Sequence, residues 1–277
     1  MVWNAEIEDL VRRTLVEDCV HEDVTTQAVL AGTAPSVRAV VRTREPGVFS
    51  GEAILSAFTA VADLSCEPLV VDGAKVEAGQ ELLRLFGEAS ACLALERSLL
   101  NLLALASGIA TKTRAFVEAA APYPTQILAT RKTLPGLRAL QLSAVKHGGG
   151  RVHRRDLSDG ILIKDNHLLI CDLEQALLRA KSVRSPLHRV EIEVDTLAQL
   201  QLALELKPDI VMLDNFCDGD RRTAVDLAKG KVLIEVSGGV QLKDVPALAA
   251  LGVDFISVGA LTHTVTGLDL TMEILQS

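Results

Sequence analysis

Three features of the sequence predict an α/β protein whose larger, C-terminal part is a parallel (β/α) barrel. After Pro122, short apolar runs alternate with helical stretches, the beat of successive βα units around a parallel sheet. Those runs are apolar on both faces, as strands covered on both sides must be. Polar or glycine-rich residues sit at the C-terminal end of each run, where a barrel carries its active site.

The elements can be justified in order. Residues 37–51 read as strands broken by Pro46-Gly47, and 71–87 alternates short apolar stretches with turn residues, as an antiparallel β unit does. From about Ser90 to Ala121, leucines and alanines recur at helical spacing, interrupted by Ser107-Gly108. This predicts one broken helix or two in series. Strands follow at 126–130, 160–164, 189–194, 209–214, 231–239 and 254–260. Asp195-Thr196 opens one intervening helix, while Gly230 and Gly252 close others. The strand ends carry Thr130-Arg131-Lys132, Lys164-Asp165-Asn166, Glu193, Asp214-Asn215, Ser237-Gly238-Gly239 and Ser257-Val258-Gly259. The last two, small and glycine-rich, suit a phosphate held by backbone N–H groups. A doubly wound sheet would also bind ligands at strand ends, but no G-x-G-x-x-G follows the first strand here.

Composition narrows the function. With 277 residues, 49% of them hydrophobic, the chain can bury a large core. A net charge of −8 and an aromatic content of 3% argue against nucleic acid, which asks for a basic face and stacking rings. No uninterrupted apolar run reaches the roughly 18–20 residues of a membrane span, and Met1 to Leu10 lacks the pattern of a signal peptide. A cytoplasmic location is expected. Cys19, Cys66, Cys92, Cys171 and Cys217 are odd in number and far apart, and are expected to be small buried residues without disulfides.

One segment departs from this acidic average. Arg131, Lys132, Arg138, Lys146, Arg151, Arg154 and Arg155, with His147 and His153, fall in a stretch free of Asp and Glu. It includes Gly148-Gly149-Gly150, read as a turn that brings backbone close to an anion, and beyond its end at Arg155 the chain leads to Lys164 and His167. Several readings compete: a solvated loop, a metal site on His147, His153 and His167, a Schiff-base lyase using Lys132 or Lys164, and a clamp for a polyanion. The histidine spacing fits no zinc motif, and the neighbouring cations favour the clamp. Glu193 and Asp214, acids in apolar strands, need a partner or a function. Arg97 stands beside Glu96 on a helix whose face is open to either a surface or a functional role.

The stretches "ALERSLLNLLALASGIATKT", "ATRKTLPGLRALQLSAVKHGGG", "HRRDLSDGILIKDNH", "VEIEV", "VMLDN", "EVSGGV" and "DFISVGALTH" closely resemble the quinolinate phosphoribosyltransferase family. The resemblance covers nearly the whole chain. It implies an incomplete α/β barrel over 106–277, preceded by a mixed α/β N-terminal domain over 1–105 with a dimer-forming role. It also implies a transfer of the phosphoribosyl group of 5-phosphoribosyl 1-diphosphate to quinolinate, with Mg²⁺, releasing diphosphate and CO₂ and leaving nicotinate mononucleotide. By position, Arg97 matches an arginine that reaches the partner's site across a homodimer. Arg131, Lys132, His153, Arg154 and Lys164 match anion-binding groups, with Thr130 alongside. Glu193 and Asp214 match acids near the ribose hydroxyls and near the metal, which water can bridge to them. Lys132, Lys164, Glu193 and Asp214 are the residues expected to act on the reacting atoms. Ser237, Gly238, Gly239, Ser257, Val258 and Gly259 match phosphate contacts. Val152 stands where the family commonly has Asn. A sibling group associated with molybdenum-transport operons shares the fold, with a different substrate.

Overall fold

The computed structural model describes residues 2–33, 35–62 and 64–275, with side chains from residue 5 onward. Met1, the first residue of the stretch read for a signal peptide, lies outside the described residues. In chain order the elements are α1 (Val2–Glu17), α2 (Val24–Leu30), β1 (Ser36–Thr43), β2 (Gly47–Val48), α3 (Glu52–Val61), β3 (Leu64–Pro68), β4 (Lys75–Val76), β5 (Glu81–Glu88) and α4 (Ala89–Ala120). They continue as β6 (Gln126–Ala129), α5 (Arg138–His147), β7 (Arg151–Val152), β8 (Ile161–Ile163), α6 (Asp165–Leu168), α7 (Leu173–Val183), β9 (Val190–Val194) and α8 (Leu197–Leu206). The chain ends with β10 (Ile210–Asp214), α9 (Asp218–Ala228), β11 (Leu233–Ser237), α10 (Val245–Ala250), β12 (Phe255–Ser257), α11 (Ala260–His263) and β13 (Leu270–Leu275). Two compact units emerge, one of Met1–Arg114, Thr133–Gly149 and Ala260–Ser277, the other of Ala115–Lys132 and Gly150–Gly259.

The first unit is a mixed α/β domain around an antiparallel sheet of order β13-β1-β5-β3. Phe49, Phe58, Leu99 and Leu103 are fully buried in it. The chain's last strand, β13, pairs with β1 from Arg38↔Leu275 to Thr43↔Leu270.

Helix α4 is continuous over 32 residues, against the expected break at Ser107-Gly108. A Cβ at Gly108 would stand 2.1 Å from the carbonyl oxygen of Thr266, so this glycine serves close approach of another segment rather than a bend. By length and composition α4 is also apolar enough to cross a membrane, yet 61% of its most apolar stretch is buried inside the protein. Gly148 and Gly149 form the expected turn after α5, with Gly149 at φ +91°. A Cβ on Gly148 would stand 2.5 Å from both Ala110 O and Thr113 Cβ, so Gly148 packs against α4.

The second unit is the incomplete parallel barrel. Its seven strands run β7-β6-β12-β11-β10-β9-β8, with β7 and β8 at the two edges. The six strands read from the sequence are all present, and β7, two residues inside the basic stretch, joins them through Leu128↔Arg151 and Ala129↔Val152. Helix α8 begins as read: Thr196 Oγ1 accepts from the Gln199 N–H at 3.2 Å, and Gln199 Oε1 accepts from the Asp195 N–H at 2.8 Å. At the opposite strand ends, Asp209 accepts from the Val190 N–H at 2.7 Å and Asp254 from the Ile234 N–H at 2.8 Å. These carboxylates fix neighbouring strands in register and leave the C-terminal ends for chemistry.

Candidate active site

Strand geometry turns alternate residues to the barrel interior, so Glu191 and Glu193 of β9 share a face, as do Met212 and Asp214 of β10, and Glu235 and Ser237 of β11. The register places Met212 beside both Glu193 and Glu235, and Asp214 beside Ser237. These positions, with the end of β6 and the residues after β7, β8 and β12, enclose a cavity of about 160 Å³ lined by Thr130, Arg131, Lys132, His153, Arg154, Leu162, Lys164, Glu193, Met212, Asp214, Glu235, Ser237 and Ser257. Ten of the expected residues therefore converge on one volume.

Their contacts differentiate them. Lys164 Nζ faces Glu193 Oε2 at 3.3 Å. An ion-paired ammonium suits an anion clamp better than a nucleophilic amine. Burial raises the Glu193 carboxyl above its ordinary range, with Lys164 opposing and Asp214 reinforcing the rise. Thr130 Oγ1 accepts from the Lys132 N–H at 3.1 Å, and the Asn215 amide donates to Asp214 Oδ2 at 2.7 Å. Arg154 is buried, and that burial, followed by the charge of Arg131, lowers its guanidinium from the ordinary value. Arginine keeps its charge in proteins, so this cation stays fixed in a low-dielectric wall.

The phosphate expectation narrows. Gly238 takes φ +94°, and a Cβ there would lie 2.5 Å from Asn215 Oδ1, a position only glycine fills. Gly239 takes φ +60° with open space around it. Ser257, in contrast, gives its hydroxyl to Glu235 Oε1 at 2.5 Å, and the Val258 N–H bonds Leu128 O at 2.9 Å. Those two groups are engaged within the barrel.

The three histidines considered as a metal site part company. His147 Nδ1 meets Ser50 Oγ at 2.8 Å, and His167 Nδ1 accepts from the Lys164 N–H at 2.9 Å, ordering the first turn after β8. His153 Nε2 instead lies 2.6 Å from Glu191 Oε2 and 3.5 Å from Glu235 Oε2. His153, Glu191 and Glu235 are a buried group that could hold a divalent ion, their ligand atoms all within 4.8 Å of one another. Burial lowers the His153 imidazole, but the Glu191 hydrogen bond and the charges of Glu235 and Glu191 outweigh it and leave it raised. Burial, reinforced by Glu191, pushes Glu235 up to about 8.

A model of the quinolinate phosphoribosyl transferase N-terminal domain matches residues 23–107, and one of the C-terminal domain matches residues 109–273. The chain belongs to the quinolinate phosphoribosyltransferase family. It is 42% identical over 275 residues to the nicotinate-nucleotide pyrophosphorylase (carboxylating) of Mycobacterium leprae, covering 96% of each chain. Among solved structures, it matches the nicotinate-nucleotide pyrophosphorylase of Francisella tularensis with a TM-score of 0.91 and 38% identity, over 98% of this chain and 97% of that one. The Ehrlichia chaffeensis counterpart gives 0.90 and 34%, over 96% and 98%.

For a member of the quinolinate phosphoribosyltransferase family, the sequence reading passed over Glu191 and Glu235. The signal was present, since both are acids inside apolar strands, as Glu193 and Asp214 are. Arg97 lies on α4 with its side chain exposed, and Gly259 ends β12's loop at the edge of the barrel unit.

Proposed function

We propose that the chain transfers the phosphoribosyl group of 5-phosphoribosyl 1-diphosphate to quinolinate with decarboxylation, giving nicotinate mononucleotide, diphosphate and CO₂. The observation that carries this reading is the meeting of Arg131, Lys132, His153, Arg154 and Lys164 with Glu193 and Asp214 in one cavity. Quinolinate brings two carboxylates and the donor a phosphate and a diphosphate, so binding both demands several cations in a small volume. The carboxylates answer a second need. As the pyridine nitrogen attacks C1 and the bond to diphosphate breaks, positive charge builds on the ribose, and Glu193 and Asp214 would stabilise it. Lys132 and Lys164 neutralise the departing oxygens. The positive charge of the alkylated pyridinium then stabilises the carbanion left at C2 as CO₂ leaves, and C2 takes a proton. Positioning and electrostatics suffice, with no covalent intermediate.

Mg²⁺ would supply further neutralisation of the diphosphate. Glu193 and Asp214, oxygen donors in the same cavity, fit that hard ion through its water shell, whereas the nitrogen of His153 makes its cluster a poorer match. Ser237, Gly238 and Gly239, with the Ser257, Val258 and Gly259 loop, would bind phosphate, chiefly through the open turn at Gly239. Residues 1–105 would form the dimerising domain and 106–277 the catalytic one, with Arg97 entering the partner's site in a homodimer. Only Cys92 of the five cysteines is buried, against the expectation for all of them, and Cys19 and Cys217 are exposed; their odd number and wide spacing suit a reducing compartment such as the cytoplasm.

The test is direct. Purified chain with quinolinate, 5-phosphoribosyl 1-diphosphate and Mg²⁺ should release CO₂ and nicotinate mononucleotide in equal amounts. Absence of both products at high enzyme concentration would sink the reading.

A further inference from the structure

Below the catalytic cavity a second one, of about 720 Å³, opens at the N-terminal ends of the strands, among residues such as Gln126, Arg151 and Ile210. His153 and Glu235 belong to the walls of both cavities, and Glu191 to the lower. The two glutamates lie side by side with side chains 5% and 0% exposed. Buried, neighbouring carboxylates oppose folding unless something compensates. Here the compensation is thin: Glu191 Oε1 and Glu235 Oε2 accept no hydrogen bond among the described residues. Glu191 Oε2 and Glu235 Oε2 face one nitrogen, His153 Nε2, at 2.6 and 3.5 Å, while Ser257 holds the far oxygen of Glu235.

We propose that Glu191 and Glu235 are positioning residues that grip the Nε2–H of His153 in its imidazolium form, fixing the ring so that its Nδ1–H is the donor offered to a substrate carboxylate in the cavity above. A histidine's two nitrogens are distinct, and the partner on one decides what the other presents. Glu191 makes the strong contact. Glu235 braces it from the next-but-one strand and is itself held by Ser257, so ring, carboxylates and hydroxyl form one layer across β9, β11 and β12. A 2.6 Å separation is that of a charge-assisted hydrogen bond with the proton between the atoms, and no ion is needed to explain it.

This rests on the reading that quinolinate binds over His153, and its test separates the two. In a wild-type chain that makes product, Glu191→Gln should raise KM for quinolinate about tenfold or more, as loss of a ring-orienting partner does, with KM for the phosphoribosyl donor nearly unchanged. The double variant with His153→Ala should be no worse than His153→Ala alone, because both remove one interaction. Equal effects on both substrates, or full additivity, would overturn the proposal while leaving the reaction intact. Should Glu191→Gln fail to fold, or the wild type make no product, ¹⁵N spectra of His153 in the intact chain decide: Nε2 must carry a hydrogen-bonded proton, and a bare Nε2 overturns the proposal. Stoichiometric uptake of Mn²⁺ or Zn²⁺ that shifts the His153 signals and displaces that proton would make the layer a metal site instead, which also overturns it.

Discussion

Glu235 illustrates what a single buried acid imposes. Its carboxyl ordinarily titrates near 4.5, but burial and then Glu191 raise it to about 8 in the folded chain. Between those values the folded chain holds a proton that the unfolded chain has lost, so stability falls as pH rises through the window. Each pKa unit is worth about 1.4 kcal/mol, so the loss amounts to a few kcal/mol. His153, raised overall, adds a loss of the same sign, since its contribution is present at low pH and fades as pH climbs through its folded value. Glu235→Gln, which cannot ionise, should flatten the profile: urea melts at pH 5, 6.5 and 8 should show the variant gaining on the wild type as pH rises. Parallel slopes in the two proteins would refute the assignment. The same residue shows the limit of reading from sequence. Asp214 ends β10 and Glu193 stands one residue from the end of β9, so both could be singled out, but Glu191 and Glu235 sit one pleat deeper, where a carboxylate is unexpected. Only the third partner, His153, arriving from another strand, gives them a reason to be there.

At the scale of elements, the parallel strands were legible because each is a dense apolar run with a polar exit, whereas β7 has two residues and β13 carries no comparable run. Both are defined by their neighbours, Leu128 and Ala129 for β7 and the length of β1 for β13. Helix α4 was legible in extent but misread at Gly108, since glycine within a helical pattern signals either a break or a close contact and the contact lies far away in sequence. That distinction can be measured. In an open helix Gly→Ala gains about 1 kcal/mol, but at Gly108 the new methyl would press on the Thr266 carbonyl, in a segment anchored where the Leu268 N–H bonds Ala104 O at 3.0 Å. Overpacking of this kind costs about 1–3 kcal/mol, so Gly108→Ala should lower Tm. Gly219, in α9 with nothing near its would-be Cβ, supplies the control: Gly219→Ala should leave Tm unchanged or raise it. A Tm for Gly108→Ala at or above that of the wild type would mean that the Thr266 segment yields freely.

For the whole molecule, the open question is whether one chain makes a complete site. Arg97 projects from α4 with its side chain exposed, and Leu93, one turn earlier, is 38% exposed. A planar guanidinium can bind a carboxylate through two parallel hydrogen bonds, and here it stands beside apolar surface on one helix face. If Arg97 serves the neighbour's site in a two-fold dimer, the loss of Arg97 and the loss of Lys164 damage the same site from different chains. Arg97→Ala and Lys164→Ala should each be inactive alone. In a heterodimer of the two, one site then holds both defects and the other neither, so equal mixing with free exchange should restore about one quarter of wild-type activity. Were Arg97 to act within its own chain, each site of the heterodimer would keep one defect and the mixture would stay silent. Native mass spectrometry can verify that the heterodimer has formed, which makes silence after exchange decisive against a shared site.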